Sequence, residues 1–227
     1  MKKLSLLFLT VLFITTCSLQ AQKQFSGEIL FKPKLEGTTD PNLLSSIENA
    51  TIATSILGNK AKVVQSSDMY SVTSIWDGDK ETSIFVIELT GMGKYYKKTS
   101  AEAHKDKMKF QDFTYSYENE YKDICGYNCQ KVVATVTNLE DDSTTEVIFY
   151  VTKEIGASKI NGGEYPGLEG FPLIVLTPMP EYCDGCMMGL EAIKITPKKI
   201  KDVDFLLPDD AVNIDDTPEI KAMLGLD

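Results

Sequence analysis

A period-two alternation of apolar and polar residues, broken at short intervals by turn residues, constrains this chain more than anything else in it. Segments 25–32, 61–65, 71–76, 82–89, 94–97, 113–117, 132–136, 146–151, 171–176 and 190–195 all read as strands. Phe113, Tyr115 and Tyr117 show the pattern well, with polar residues between them. Asp77-Gly78-Asp79, Gly91-Met92-Gly93 and Asp141-Asp142-Ser143 supply turns. Helical signals are few. Asp40-Pro41 offers a cap and a proline at the first helical position, and Leu43, Leu44, Ile47, Ala50, Thr54 and Leu57 follow at helical spacing up to Gly58. A second helix is expected over 217–224, and 101–107 reads as a short helix or a loop. Nine or ten strands with so few helices predict a mainly β (α+β) fold, a strongly curved antiparallel sheet or open barrel with one or two covering helices. No repeat or linker divides the chain, so 22–227 reads as a single β-rich domain.

The first 21 residues carry a different signal. Lys2 and Lys3 precede an apolar run over 4–16, and Leu19-Gln20-Ala21 closes it, the pattern of a signal peptide cut between Ala21 and Gln22. The run falls short of the ~20 residues that cross a bilayer, and no later segment reaches that length, so no transmembrane segment is expected. The mature chain is expected to be periplasmic or secreted. Cys17 offers the minority reading of a lipid anchor, but Thr16 before it is not the small residue that such cleavage favours.

Charge and composition narrow the partners. Without Lys2 and Lys3, 21 basic side chains face 33 acidic ones, a formal net charge of −12. Such a surface repels phosphate backbones, so nucleic acid is not an expected partner. The single histidine, His104, removes most zinc-hydrolase schemes. Ser66-Ser67-Asp68 forms no known nucleophile motif, Gly156, Gly162 and Gly163 lack the setting of a phosphate loop, and Glu118, Glu120, Asp141 and Asp142 read as solvated acids. No residue is nominated as catalytic, no cofactor is implied, and an enzyme is not expected.

Four cysteines remain in the mature chain: Cys125 and Cys129 as C-x3-C, Cys183 and Cys186 as C-x2-C. In an oxidising compartment an even count reads first as disulfides, with three pairings open. A local Cys125–Cys129 bridge requires Gly126 to bend the chain, because fully extended Cα atoms would stand about 13 Å apart. The alternative is a soft-metal site for zinc or copper at Cys183 and Cys186, beside Met179, Met187 and Met188. A redox pair is less favoured still, since Cys183 does not open a helix.

Ile124-Cys-Gly-Tyr-Asn-Cys-Gln-Lys131, followed by Phe149-Tyr-Val-Thr-Lys-Glu-Ile155, resembles a recurrent segment of GLPGLI-type and related uncharacterised exported domains of Bacteroidota. Gly167-Leu-Glu-Gly-Phe-Pro-Leu-Ile174 stands where that family has its glycine-rich motif, and departs from it; Val203-Asp-Phe-Leu-Leu-Pro208 is similar to the family's closing segment. The resemblance implies a LolA-like (lipoprotein-carrier) fold, in which helices cross the concave side of a bent sheet and enclose an apolar cleft. On that basis the expected role is a non-catalytic binding or interaction module, taking an apolar ligand (an acyl chain or hydrophobic peptide) or an envelope protein. The expected cleft is lined by Ile75, Trp76, Phe85, Ile87, Phe149 and Val151, with a helix from Leu43 to Leu57 as its lid.

Overall fold

The computed structural model describes residues 24–38, 40–47, 50–156 and 158–225. The expected leader, its expected cleavage point at Ala21–Gln22 and Cys17 lie outside the described residues.

Alternating apolar residues pair into one open, curved sheet of twelve strands. In chain order these are β1 (Ser26–Glu36), β2 (Ile52–Leu57), β3 (Lys60–Ser66), β4 (Tyr70–Asp77), β5 (Thr82–Leu89), β6 (Gly93–Thr99), β7 (Gln111–Ile124), β8 (Tyr127–Asn138), β9 (Thr144–Thr152), β10 (Phe171–Pro178), β11 (Met187–Pro197) and β12 (Val212–Asn213). Their spatial order is β12-β6-β5-β4-β3-β2-β1-β11-β10-β9-β8-β7. The sheet is therefore two meanders, β1 to β6 and β7 to β11, joined where β1 pairs with β11. All pairings are antiparallel except that of β12 with β6. The sequence reading of a mainly β, curved antiparallel sheet agrees with this architecture.

The first helix is shorter than expected. α1 (Pro41–Ile47) starts as its sequence predicts, with the Asn42 N–H donating to the Asp40 carboxylate at 2.9 Å. It does not continue to Leu57. The Ile52-Ala-Thr-Ser-Ile-Leu57 run carries β-branched residues at every second position, and as β2 it puts Thr54 and Ile56 into the core between β1 and β3. The expected lid over Leu43–Leu57 is thus corrected to one short helix and a central strand. α2 (Ala101–Met108), capped by the Ser100 side chain, joins β6 to β7 and has no buried residue, and no described side chain of α1 is buried. Among the described side chains of the three helices, Ile220 of α3 (Pro218–Met223) alone is buried.

Period two gives the sheet two distinct faces. Cross-strand register puts Ile56, Ala61, Trp76, Phe85 and Ile87 on one face in the first meander, and Val132, Phe149 and Val151 on the same face in the second. This is called the Trp76 face. Lys62, Ile75, Ile84 and Lys98 share a row on the other, the Ile75 face. The β9–β10 connection, residues 153–170, packs on the Trp76 face. Its Ile155 and Ile160 join Ile29, Phe31 and Ile56 in one apolar cluster, and its Leu168 and Tyr165 join Val132, Phe149 and Val151 in another. Residues 198–211, which follow β11, cross the Ile75 face, where Ile200 and Phe205 pack on Ile75, Leu57 and Ile84.

Candidate functional site

Five of the six expected cleft residues, Trp76, Phe85, Ile87, Phe149 and Val151, do share a face, but the chain itself fills the space above much of it. The Trp76 indole N–H donates to the Lys159 carbonyl at 2.9 Å. Gly162 and Gly163 lie so close to the indole that a Cβ on either would stand 3.2 Å from it. His104 of α2 packs on the same ring at 4.8 Å between centroids, and its Nε2–H donates to the Gly162 carbonyl at 2.9 Å. Tyr165 stands edge-on to Phe149 at 4.7 Å, and burial pushes its phenol up to about 12. Asn161, buried, ties the connection together by donating from Nδ2 to the carbonyls of Leu168 (3.0 Å) and Gly170 (2.6 Å). Two small openings survive beside α2. One of about 210 Å³ lies between Trp76, His104 and Met108, and one of about 290 Å³ between Met108, Phe113 and Tyr165. Ile75, the sixth residue, points to the opposite face, because it is adjacent to Trp76 in the same strand.

Ile75 belongs to a larger groove of about 580 Å³ on the other face. Its floor is Ile75 and Ile84, its far wall is Phe205, Leu206, Leu207 and Pro208 of the 198–211 strap, and Tyr96 closes one side. Phe205 is buried, whereas Leu206 is 63% exposed over the opening. Charged residues form the rim: Lys60, Asp77, Lys80, Lys98, Asp202 and Asp209. Lys60 meets Asp202 at 2.6 Å, and that hydrogen bond holds its ammonium above the usual lysine range. Further along, Lys94 meets Asp210 at 2.7 Å; the contact raises the lysine and lowers the aspartate. Lys97 reaches Asp215 at 3.9 Å. In each of these pairs the sheet supplies the lysine and the segment after β11 supplies the aspartate. Ser26 adds a neutral fastening, donating from Oγ to the Lys198 carbonyl at 2.8 Å and accepting from the Ile200 N–H at 3.0 Å. Sequence reasoning missed this groove: 203–208 stood out by motif, but nothing local to it indicated which strands it would cross.

The cysteines divide. Cys183 and Cys186 are bonded to each other across the turn that precedes β11. Neither is therefore a thiolate, and among the described residues no group of three or more His, Cys, Asp or Glu is arranged to hold a metal ion. Cys125 and Cys129 are bonded to no other described cysteine, so the reading of all four as disulfides is corrected to one bridge. The reason is the hairpin. Cys125 (φ 53°) and Gly126 (φ 84°) are the two central residues of a tight turn, while Cys129 sits inside β8 opposite Lys122. Burial, with the nearby Asp123 and Glu154 carboxylates, pushes the Cys129 thiol up to about 12, which disfavours the thiolate a redox pair needs.

The acids read as solvated are partly engaged. Glu118 and Glu120 each meet Lys131 at 3.1 Å, and Tyr150 donates its hydroxyl to Glu120 at 2.5 Å, which lowers the carboxyl and lifts the phenol to about 12. Asp141 accepts from the backbone and hydroxyl of Ser143 and so shapes its turn. No helix among the described residues is long and apolar enough to cross a membrane.

The fold and the groove together define a class: an open antiparallel β sheet with one face packed by its own connection and the other crossed by a strap over an amphipathic groove. No protein-family model matches the chain, and no curated protein matches it. A solved structure of PNGF-II, in space group P21, is similar to it in fold, with a TM-score of 0.53 at 16% sequence identity. That similarity covers 83% of this chain and 31% of the other, so the chain spans under a third of the length of that protein.

Proposed function

We propose that this chain is an exported, non-catalytic binding module that holds an apolar ligand, seated in the groove on the Ile75 face. The observation that carries the reading is the groove itself: about 580 Å³, floored by Ile75 and Ile84, walled by Phe205 and Leu206, and open to solvent. That volume falls in the range of small-molecule sites, and Leu206, 63% exposed beside the buried Phe205, adds apolar surface at its mouth. The 153–170 connection stands against a ligand on the Trp76 face, because it already occupies the space over Trp76 and Phe149. Export rests on the leader sequence; the Cys183–Cys186 bridge is compatible with it.

Kinship to GLPGLI-type domains and to the LolA-like fold belongs to the same proposal. It is supported by the motif segments at 124–131 and 149–155 and by a curved antiparallel sheet. The helices differ from the carrier arrangement, since neither α1 nor α2 buries a described side chain. The soft-metal alternative gains no supporting observation.

The test is binding of a neutral apolar dye such as Nile red to the mature chain, with native mass spectrometry of protein purified without detergent. One dye per chain is expected, with affinity falling about tenfold in Leu206→Asp, the loss that one exposed leucine contact entails. No binding, together with a bare native mass, would end this reading.

A further inference from the structure

We infer that the ligand of this groove is an anion: a single-chain alkyl carboxylate, with its head at Lys98 and its chain along Ile75, Ile84 and Leu206. The inference rests on the groove being the ligand seat. It starts from register. Across β3, β4, β5 and β6 the pairings set Lys62 opposite Ile75, Ile75 opposite Ile84, and Ile84 opposite Lys98. Neighbouring strands stand about 4.8 Å apart, so a two-residue apolar floor is bracketed by a lysine on each side.

The lysines of the groove are not equivalent. Lys60 is engaged by Asp202 at 2.6 Å and Lys80 by Asp77 at 3.4 Å. Lys98 and Lys62 make no ion pair among the described residues, and Lys98 lines the groove directly. Its ammonium lies over the Tyr96 ring, 5.4 Å from the centroid, which holds the charge against the groove wall. Asp209, on the strap side of the rim, repels an anion there and directs the ligand head toward the sheet. An unneutralised lysine at an apolar floor is also unexpected in a chain of net charge −10, where carboxylates outnumber cations.

The head group follows from the cation. All 23 basic side chains of this protein are lysines, and there is no arginine. The planar, two-pronged donor that clamps phosphate is therefore missing, and one lysine is a point charge suited to a monoanion. A carboxylate satisfies it, and the alkyl chain supplies the apolar cover that Leu206 lacks.

The experiment is calorimetric titration of the mature chain with dodecanoate and with dodecanol, below their micellar or solubility limits, repeated on Lys98→Gln. Dodecanoate is expected to bind about fivefold more tightly than dodecanol, the upper value for one exposed charge pair. Lys98→Gln or 0.5 M salt should remove that advantage and leave dodecanol unchanged. Equal binding of both compounds, untouched by Lys98→Gln, would overturn the anionic head and leave the groove standing as a neutral site. Binding of neither, with the variant still folded by circular dichroism, would overturn the groove and the head together. Preference for an apolar peptide over both alkyl compounds would overturn the alkyl chain.

Discussion

The two faces of one sheet are covered by two segments of similar length, and by different physics. On the Trp76 face, residues 153–170 are held by hydrogen bonds from buried side chains and by glycines that let the backbone touch an aromatic ring. On the Ile75 face, residues 198–211 are held by Phe205 and Ile200, by a serine, and by lysine–aspartate pairs at the surface. The first cover leaves only small openings, of about 210 and 290 Å³, beside α2. The second leaves about 580 Å³. A face closed by close-packed apolar and hydrogen-bonded groups serves stability, whereas one bridged by solvated ion pairs retains accessible surface.

That contrast breaks if the first cover proves dispensable. Trp76→Ala should cost about 3–5 kcal/mol in chemical denaturation, since it removes both a large buried ring and the partner of the Lys159 carbonyl. A loss under about 1 kcal/mol would show that the packing of the 153–170 connection on Trp76 contributes little to stability. Phe205→Ala should cost less, about 3 kcal/mol at the low end of buried phenylalanine truncations, because the groove already leaves it contacts on fewer sides. If it equals or exceeds Trp76→Ala, the two faces are alike. Opening the Cys183–Cys186 bridge by Cys186→Ser should cost about 2 kcal/mol, the value for a very short loop, with no effect on the groove; altered dye affinity would show that the two are coupled.

The smallest effect is expected with acid, and it separates the covers by location. Asp210 titrates below the ordinary aspartate range because of Lys94, and Asp79 does so because of Asn59 and Lys159. A lowered carboxyl adds stability that is complete above its unfolded value, about 3.9, and that vanishes as pH falls through its lower folded value. Thermal scans should therefore lose a few degrees or less between about pH 5 and pH 2 from these groups. Lys94→Met should reduce the part due to the strap. An unchanged acid profile in that variant would show that the Lys94–Asp210 contact does not form in solution.

The strands were legible because alternation is local: Phe113, Tyr115 and Tyr117, with polar residues between them, announce their face without help from the rest of the chain. β2 was not, since Leu43, Leu44, Ile47, Thr54 and Leu57 also satisfy a helical period. Only β1 and β3 on either side decide that Ile52, Thr54 and Ile56 belong to a strand. Parity within strands sets Phe85 with Ile87 and Phe149 with Val151, but neither their meeting with Trp76 on one face nor the occupancy of that face is local. The segment that covers it, Ile155 to Gly170, has neither period and is rich in glycine, so its path is set by what it lands on. The groove was hidden for the same reason. Lys62, Ile75, Ile84 and Lys98 form a row only after register is fixed, and the wall opposite arrives from more than a hundred residues further along.

The seam between β1 and β11 has a consequence in time. Each meander needs only neighbours a few residues away to zip its hairpins, which is fast. Gly27, by contrast, must find Pro197, and no turn brings the two together. The order of events is therefore imposed by topology: hairpins first, the joining of first strand to last afterwards, and the strap last, since it leaves directly from β11. Until that closure both β1 and β11 present unpaired edges. A chain held up before it can close its seam would be most exposed to pairing with a neighbour there, and a second copy offers the same two strands.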